Sequence, residues 1–270
     1  MPGFRDRAKR PWLDQDPLSK LPREKNVFTE LADKMFTHAL VFERVERDAS
    51  CMFSRMWYDW KRENATQRSH IYHCRTDASW PKDMGLSVTF LPDTLTTNAV
   101  LLGCGHYETD ATILTRRLSD SDMSILHPVL APATFADIER DRQIKLVCDK
   151  LDELHRIAKV EIGSNYHLFS FVEHSCQVPP LSSKETAVLW LEAERLEVGL
   201  INWQHQLRKM IEHVEELDAI EFTSDKATYT NQQLQQFREA GVRIKDHVIV
   251  TCSTSCDTVS LLMRIFKRNI

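Results

Sequence analysis

Three potential soft-metal ligands fall within five residues in His70-Ile71-Tyr72-His73-Cys74. Imidazole and thiolate are groups that zinc favours, but a structural zinc site needs a second half at matching spacing, and no C-x-x-C or H-x-H supplies one. A strand also alternates its side chains, so His70 and Cys74 would share one face while His73 took the other. The pattern reads as ordinary surface histidines. Cys252 and Cys256 form an equally solitary pair. Asp152-Glu-Leu-His155 has the i, i+3 acid and histidine of di-iron bundles, which require two such pairs and two more inward carboxylates. The local apolar period turns Leu151 and Leu154 inward instead, leaving Asp152 and His155 solvated. His205 and His213 also lie off the apolar stripe of their segment. There is no G-x-S-x-G elbow, H-E-x-x-H pair, kinase loop or base-flipping H-x-E…P-C-x-x-C set. With only 7 glycines, neither G-x-G-x-x-G nor G-x-x-x-x-G-K-[ST] occurs. No catalytic, cofactor-binding or metal-ligating residue emerges, and the chain is expected to be no enzyme and to need no cofactor.

The elements that would carry any site follow from periodicity. Residues 1–25 hold four prolines and many charges without an apolar period, which predicts a disordered basic arm. From Asn26 to about Arg62, Leu31, Met35, Ala39, Phe42 and Val45, then Met52, Met56 and Trp60, predict two helical stretches. Short β-prone runs bounded by Pro81, Gly85, Pro92 and Gly103 place a small sheet between residues 68 and 108. Thr134 with Asp137 resembles a capping box. Ile144, Val147, Leu151, Leu154 and Ala158 then predict a helix over about 134–161, ending near Gly163. Ser182-Ser-Lys-Glu185 is a fuller capping box, and it opens the clearest pattern in the chain. Leu189, Ala193, Leu196, Leu200, Trp203, Leu207, Met210, Val214 and Leu217 step by alternating fours and threes without a miss. This stripe, widened by Trp190 and Ile211, must bury itself against other helices, and the 134–161 helix arriving antiparallel is the expected first partner. Trp203 belongs to that packing. Thr230-Asn-Gln-Gln233 caps a third, shorter helix to Gly241, after which Val248–Thr254 looks strand-like.

The fold expected is α+β and mostly α: a small sheet layer followed by long antiparallel helices. Its divisions are 1–25 arm, 26–125 α/β layer, 126–245 long-helix bundle and 246–270 irregular tail. Hydrophobic residues make up 42% and charged residues 27% of 270, a soluble globular composition with no window apolar enough to span a bilayer. The net charge of -4 is unevenly spread. Residues 1–25 carry seven Lys/Arg against four Asp/Glu and residues 241–270 five against two, which reads as solvated termini rather than a nucleic-acid surface. Seven scattered cysteines and no apolar leader predict reduced thiols and a cytoplasmic protein.

Leu126-His-Pro-Val-Leu-Ala-Pro-Ala-Thr-Phe-Ala-Asp-Ile-Glu-Arg140 resembles a stretch shared by fungal CorA-like, magnesium-transporter-like proteins. The likeness continues through Trp190-Leu, Leu196-x-x-Gly-Leu-x-x-Trp203-x-x-Gln-Leu-x-Lys-Met210 and His213-Val-Glu-Glu-Leu217, and it covers about 126–247. It implies a cytoplasm-facing domain with a small front layer and very long antiparallel helices that, in that family, lead into a membrane hairpin marked by Gly-Met-Asn. This sequence has neither hairpin nor signature, so no pore residue carries over. After Asp246, where relatives continue as a long helix, the composition turns β-prone.

The leading expectation is a non-enzymatic helical domain that self-associates or binds a protein partner through the 185–217 helix. A second is the cytoplasmic part of a CorA-like cation transporter whose membrane segment is missing from the chain. A third is an auxiliary protein or enzyme of a fungal metabolic pathway.

Overall fold

The computed structural model describes residues 25–38, 40, 51–62, 65–77, 80, 83–103, 109–119, 127–166, 183–219 and 230–269. Residues 1–24 of the expected disordered arm, Ser182 of the second capping box and the Pro179-Pro180 connection lie outside them, while Lys25 belongs to a helix. Helix α1 is Lys25–Lys34, followed by strands β1 Met52–Arg62, β2 Ala65–Arg75, β3 Gly85–Leu91 and β4 Thr96–Leu102. Helices α2 Thr109–Ser119, α3 Leu130–Tyr166, α4 Ser183–Ala219 and α5 Asn231–Asn269 complete the order. The fold is α+β, mostly α.

The strands form an antiparallel meander in the order β1-β2-β3-β4. Met52–Arg62 is strand and not the helix expected from Met52, Met56 and Trp60. Residues four apart share a face in both geometries, so that spacing could not discriminate. Register pairs Phe53 with Cys74, Arg55 with Tyr72 and Trp57 with His70, which gathers these side chains on one face with Leu86 and Val88. That face meets the long helices. The opposite face carries Trp60, Ser69, His73 and Thr89, and the segment after α1 covers it. Phe36 and His38 pack edge-on against Trp60, and Thr89 Oγ1 donates to the Phe36 carbonyl at 2.7 Å. Buried on both sides, β3 is uniformly inaccessible. Its sequence nonetheless alternates, Leu86, Val88 and Phe90 facing the helices while Ser87 and Thr89 face the covering segment.

Helix α3 starts at Leu130, four residues before the expected cap. The His127 carbonyl accepts from Leu130 N, and its Nδ1 accepts from Val129 N at 3.2 Å. Thr134 is thus interior, and its hydroxyl bonds back to the Leu130 carbonyl, an alternative open to any helical threonine. The helix runs past Gly163 to Tyr166. In α4 every described member of the inner stripe from Ala193 to Leu217 is buried.

Helix α5 is the largest departure from expectation. It continues through Val248–Thr254 and the supposed irregular tail to Asn269. Thr230 and Gln233 do form a reciprocal cap, Gln233 N donating to Thr230 Oγ1 and Thr230 N to Gln233 Oε1. Beyond it Ile244, Val248, Thr251 and Ser255 are buried at spacings of 4, 3 and 4, a helical stripe that overrides the β-branched propensity of the run. This face is the main partner of α4, which touches α3 over a shorter length. Lys245 pairs with Glu215 at 2.8 Å, while the buried α5 positions advance as those of α4 recede. The expected first partner, α3, is therefore second to α5.

A satellite core joins Trp80, Val147, Ala193, Leu196 and Leu200. The Trp80 ring lies between the Arg142 guanidinium, 5.4 Å from its centroid, and the backbone of Gly199. Arg142 is held in turn by a two-pronged pair with the fully buried Glu139, 2.7 Å on each arm. A Cβ at Gly199 would lie 2.1 Å from Trp80 Cζ2. Gly199→Ala is therefore expected to destabilise by up to about 2 kcal/mol, an overpacking cost of about 1–3 kcal/mol less the ~1 kcal/mol gain in helix propensity. The denaturant midpoint checks this, and an unchanged or raised midpoint would contradict the sandwich.

Candidate functional site

The histidine cluster divides as strand alternation requires. His70 lies with Tyr72 and Cys74 on the helix-facing side, and His73 on the other. Both histidines are buried, 4% and 3% exposed, and are not the surface residues expected. Among the described residues no three His, Cys, Asp or Glu side chains gather as a metal site. Asp152 is exposed as expected, and the His155 side chain lies outside the described set. Cys252 and Cys256 sit one turn apart on α5, half-buried and free. The buried Cys51 thiol is pushed up to about 12 by burial and then by Asp77 and Glu139, which removes it from thiolate chemistry at neutral pH.

Two polar clusters join elements distant in sequence. The first lies where the sheet meets α4. His213 Nδ1 accepts from Arg55, which also donates to Glu216, and His213 Nε2 lies 3.0 Å from Tyr72 Oη. Because the guanidinium can only donate, Nδ1 must be the acceptor, and the single imidazole proton sits on Nε2, donated to Tyr72. Burial, then the Arg55 charge, lowers His213 to about 4, so this neutral tautomer prevails at pH 7. The Arg55 hydrogen bond holds Glu216 below the usual carboxylate range, and burial raises the Tyr72 hydroxyl. Both ring nitrogens are occupied by structural partners. The arrangement docks α4 onto the sheet and leaves no poised base.

Next along the same face, Trp57 packs on His70 and carries the Arg68 guanidinium 5.7 Å from its ring centroid. Trp57, Asp59 and Arg68 line an open depression of about 300 Å³. Arg68 closes on Asp59 at 3.3 Å.

The second cluster centres on Asp137, whose side chain is 6% exposed. His247 Nε2 approaches at 2.5 Å and Thr251 Oγ1 donates at 3.0 Å, both from α5, while Arg117 of α2 and Arg140 of α3 add charge at 3.1 and 3.4 Å. Burial pushes this carboxyl up, but the His247 and Thr251 bonds and the surrounding charges outweigh it and hold Asp137 below its usual range. The Asp, His and Thr types invite comparison with a nucleophilic triad. Here histidine and threonine both bind the carboxylate and neither activates the other, so the cluster is a clamp between helices.

The remaining feature is the outer face of α4. With the inner stripe consumed by the core, Val188, Leu191, Val198 and Ile201 stay 49–53% exposed at spacings of 3, 7 and 3. No family model, curated protein or solved structure matches the chain. Of the histidines singled out in α4, His205 is exposed and His213 is the buried lock to Tyr72. The outer stripe was legible as a second apolar period in the same segment, masked by the more regular inner one. Arg55 and Tyr72 have no local signature, because their partner His213 lies more than a hundred residues away, and Asp137, singled out in the sequence as part of a cap, meets His247 and Thr251 only through the docking of α5.

Proposed function

We propose that this chain is a non-enzymatic helical association module of the cytoplasm whose α4 receives a protein partner on its outer face. The observation that carries this reading is the exposed row Val188, Leu191, Val198 and Ile201 beside an inner stripe that is already satisfied. Apolar side chains scattered singly on a surface need no explanation, whereas an ordered row along one helix is the helix-in-groove pattern of recognition. The polar clusters support it by fixing α4 against the sheet and α5 against α2 and α3, so the row is presented on a rigid support. The Val198→Glu/Ile201→Glu double variant should keep the wild-type circular dichroism and melting curve while losing partners recovered by affinity capture from extracts of the native host. Identical recovery by the two proteins would remove the proposal.

A second reading, the cytoplasmic part of a CorA-like cation transporter, draws support from α5. The resemblance implies a long helix continuing past Asp246, and α5 runs unbroken to Asn269. No helix among the described residues is long and apolar enough to cross a membrane. Sequencing the 3′ end of the transcript tests this second reading. A frame that extends into an apolar hairpin with Gly-Met-Asn supports it, and a stop codon after Ile270 removes it.

A further inference from the structure

The outer face of α4 continues beyond its apolar row as Leu191, Glu194, Val198, Ile201, His205, Arg208 and Glu212, all exposed and stepping by 3, 4, 3, 4, 3 and 4. This is a second heptad stripe on the helix, apolar at its centre, with Glu194 on the N-terminal side, His205 and Arg208 on the C-terminal side, and Glu212 beyond them. We infer that its occupant is a second copy of the chain, the two α4 helices running antiparallel about a two-fold axis between Gly199 and Leu200. The inference rests on the association reading above and names the partner.

From Leu191 to Arg208 the stripe is symmetric about that point. Reversed onto itself, it sets Val198 against Ile201, Glu194 against His205, and Leu191 against the aliphatic stem of Arg208. Each contact occurs twice, as an isologous interface requires. Apolar residues meet at the centre and opposite polarities flank them, with no like charges opposed. A parallel pairing sets every residue against its own copy, bringing Glu194 to Glu194 and Arg208 to Arg208, an arrangement that like-charge repulsion disfavours. Glu192, which would add acid to this face, is instead tied to Lys150 of α3 at 2.7 Å. The self-paired seam from Leu191 to Arg208 would be about 26 Å long at 1.5 Å per residue. Its few apolar contacts per copy point to a dimer that forms in the micromolar range and dissociates on dilution.

Light scattering and sedimentation of the full chain between 1 and 100 μM should show a concentration-dependent monomer–dimer equilibrium. Val198→Glu or Ile201→Glu should weaken it at least tenfold without changing the melting curve. Orientation is read by cysteine trapping. Oxidising a mixture of the Glu194→Cys and His205→Cys variants should give a disulfide joining the two new positions, identified by peptide mapping against the native cysteines. A symmetric Glu194→Cys disulfide would overturn the antiparallel arrangement. A dimer indifferent to Val198→Glu would overturn the site. A wild-type monomer at 100 μM together with a distinct captured protein sensitive to Val198→Glu would overturn self-pairing and leave the association reading standing. A monomer with no sensitive partner would remove both.

Discussion

Replacing Trp203 by aspartate is expected to unfold the protein or to cost about 5 kcal/mol or more. Trp203 is 1% exposed at the centre of the inner stripe of α4, where it meets Phe135 of α3 edge-on at 6.5 Å and joins the core of Leu207, Met210, Ile244 and Val248. Its indole nitrogen finds no acceptor among the described residues, so its contribution is volume and apolar area. Emptying a buried tryptophan site costs about 3–5 kcal/mol, and a carboxylate placed there adds the price of an unpaired buried charge. Against a total of roughly 5–15 kcal/mol for a domain, little native state would remain. Trp203→Phe, which keeps an aromatic ring at the junction, should lose far less. Thermal melts of the two variants make the comparison, and an unchanged melt for Trp203→Asp would contradict the packing of α3, α4 and α5 around this residue.

Acid should dismantle the fold in a window set by three histidines. Burial lowers His70 and His127 to about 3, with His213 acting in the same sense on both and Arg55 and Arg68 on His70, and burial with Arg55 lowers His213 to about 4. His127 stacks on Phe237 at 4.6 Å, so charging it would place an imidazolium against an apolar ring in the interior. In the unfolded chain each titrates near its ordinary value of 6.5. The folded values lie below the unfolded ones, so above about pH 7 both states are neutral and these residues make stability insensitive to pH. As pH falls below 6.5 the unfolded chain takes up protons that the native state refuses. Stability then drops until pH reaches about 4 for His213 and about 3 for the other two. Three such protons correspond to a slope of about 4 kcal/mol per pH unit at its steepest. Most of the stability of a typical domain would be spent before pH 4.5. Urea midpoints measured from pH 7.5 to 4.5 should fall steeply below pH 6.5, and His127→Phe should flatten the slope by about one proton. Constant midpoints over that range would show that the three rings are not held neutral.

How far the sequence revealed this structure depended on whether a pattern was local and unambiguous. The inner stripe of α4 was plain because nine apolar residues kept the helical period without interruption. The division of His70 from His73 followed from the two-residue period of a strand. The second half of α5 was hidden because Val248-Ile-Val-Thr has the composition of a strand. Only the burial of Ile244, Val248, Thr251 and Ser255 against α4 shows which preference prevails. Strand β1 was mistaken for helix because a four-residue interval fits both geometries. Thr134 was mistaken for a cap because its hydroxyl can serve the preceding turn equally well. The lock of Arg55, Tyr72 and His213 had no such signal. It joins residues 141 and 158 positions apart, and only the sheet register and the docking of α4 bring them together.

The meander also governs where other strands can join. Among the described residues β1 pairs with β2 along one side only, which leaves its other side as an edge. That edge strand carries Arg55, Asp59 and Lys61 along its length, with Arg55 turned toward the helices and held there by Glu216. A foreign strand adding to this side would have to strip water from a row of charges and accommodate an anchored guanidinium, which is how natural sheets discourage edge-to-edge growth. Among the described residues the sheet thus ends at β1, and a partner strand arriving there would meet a surface unsuited to templated β-pairing.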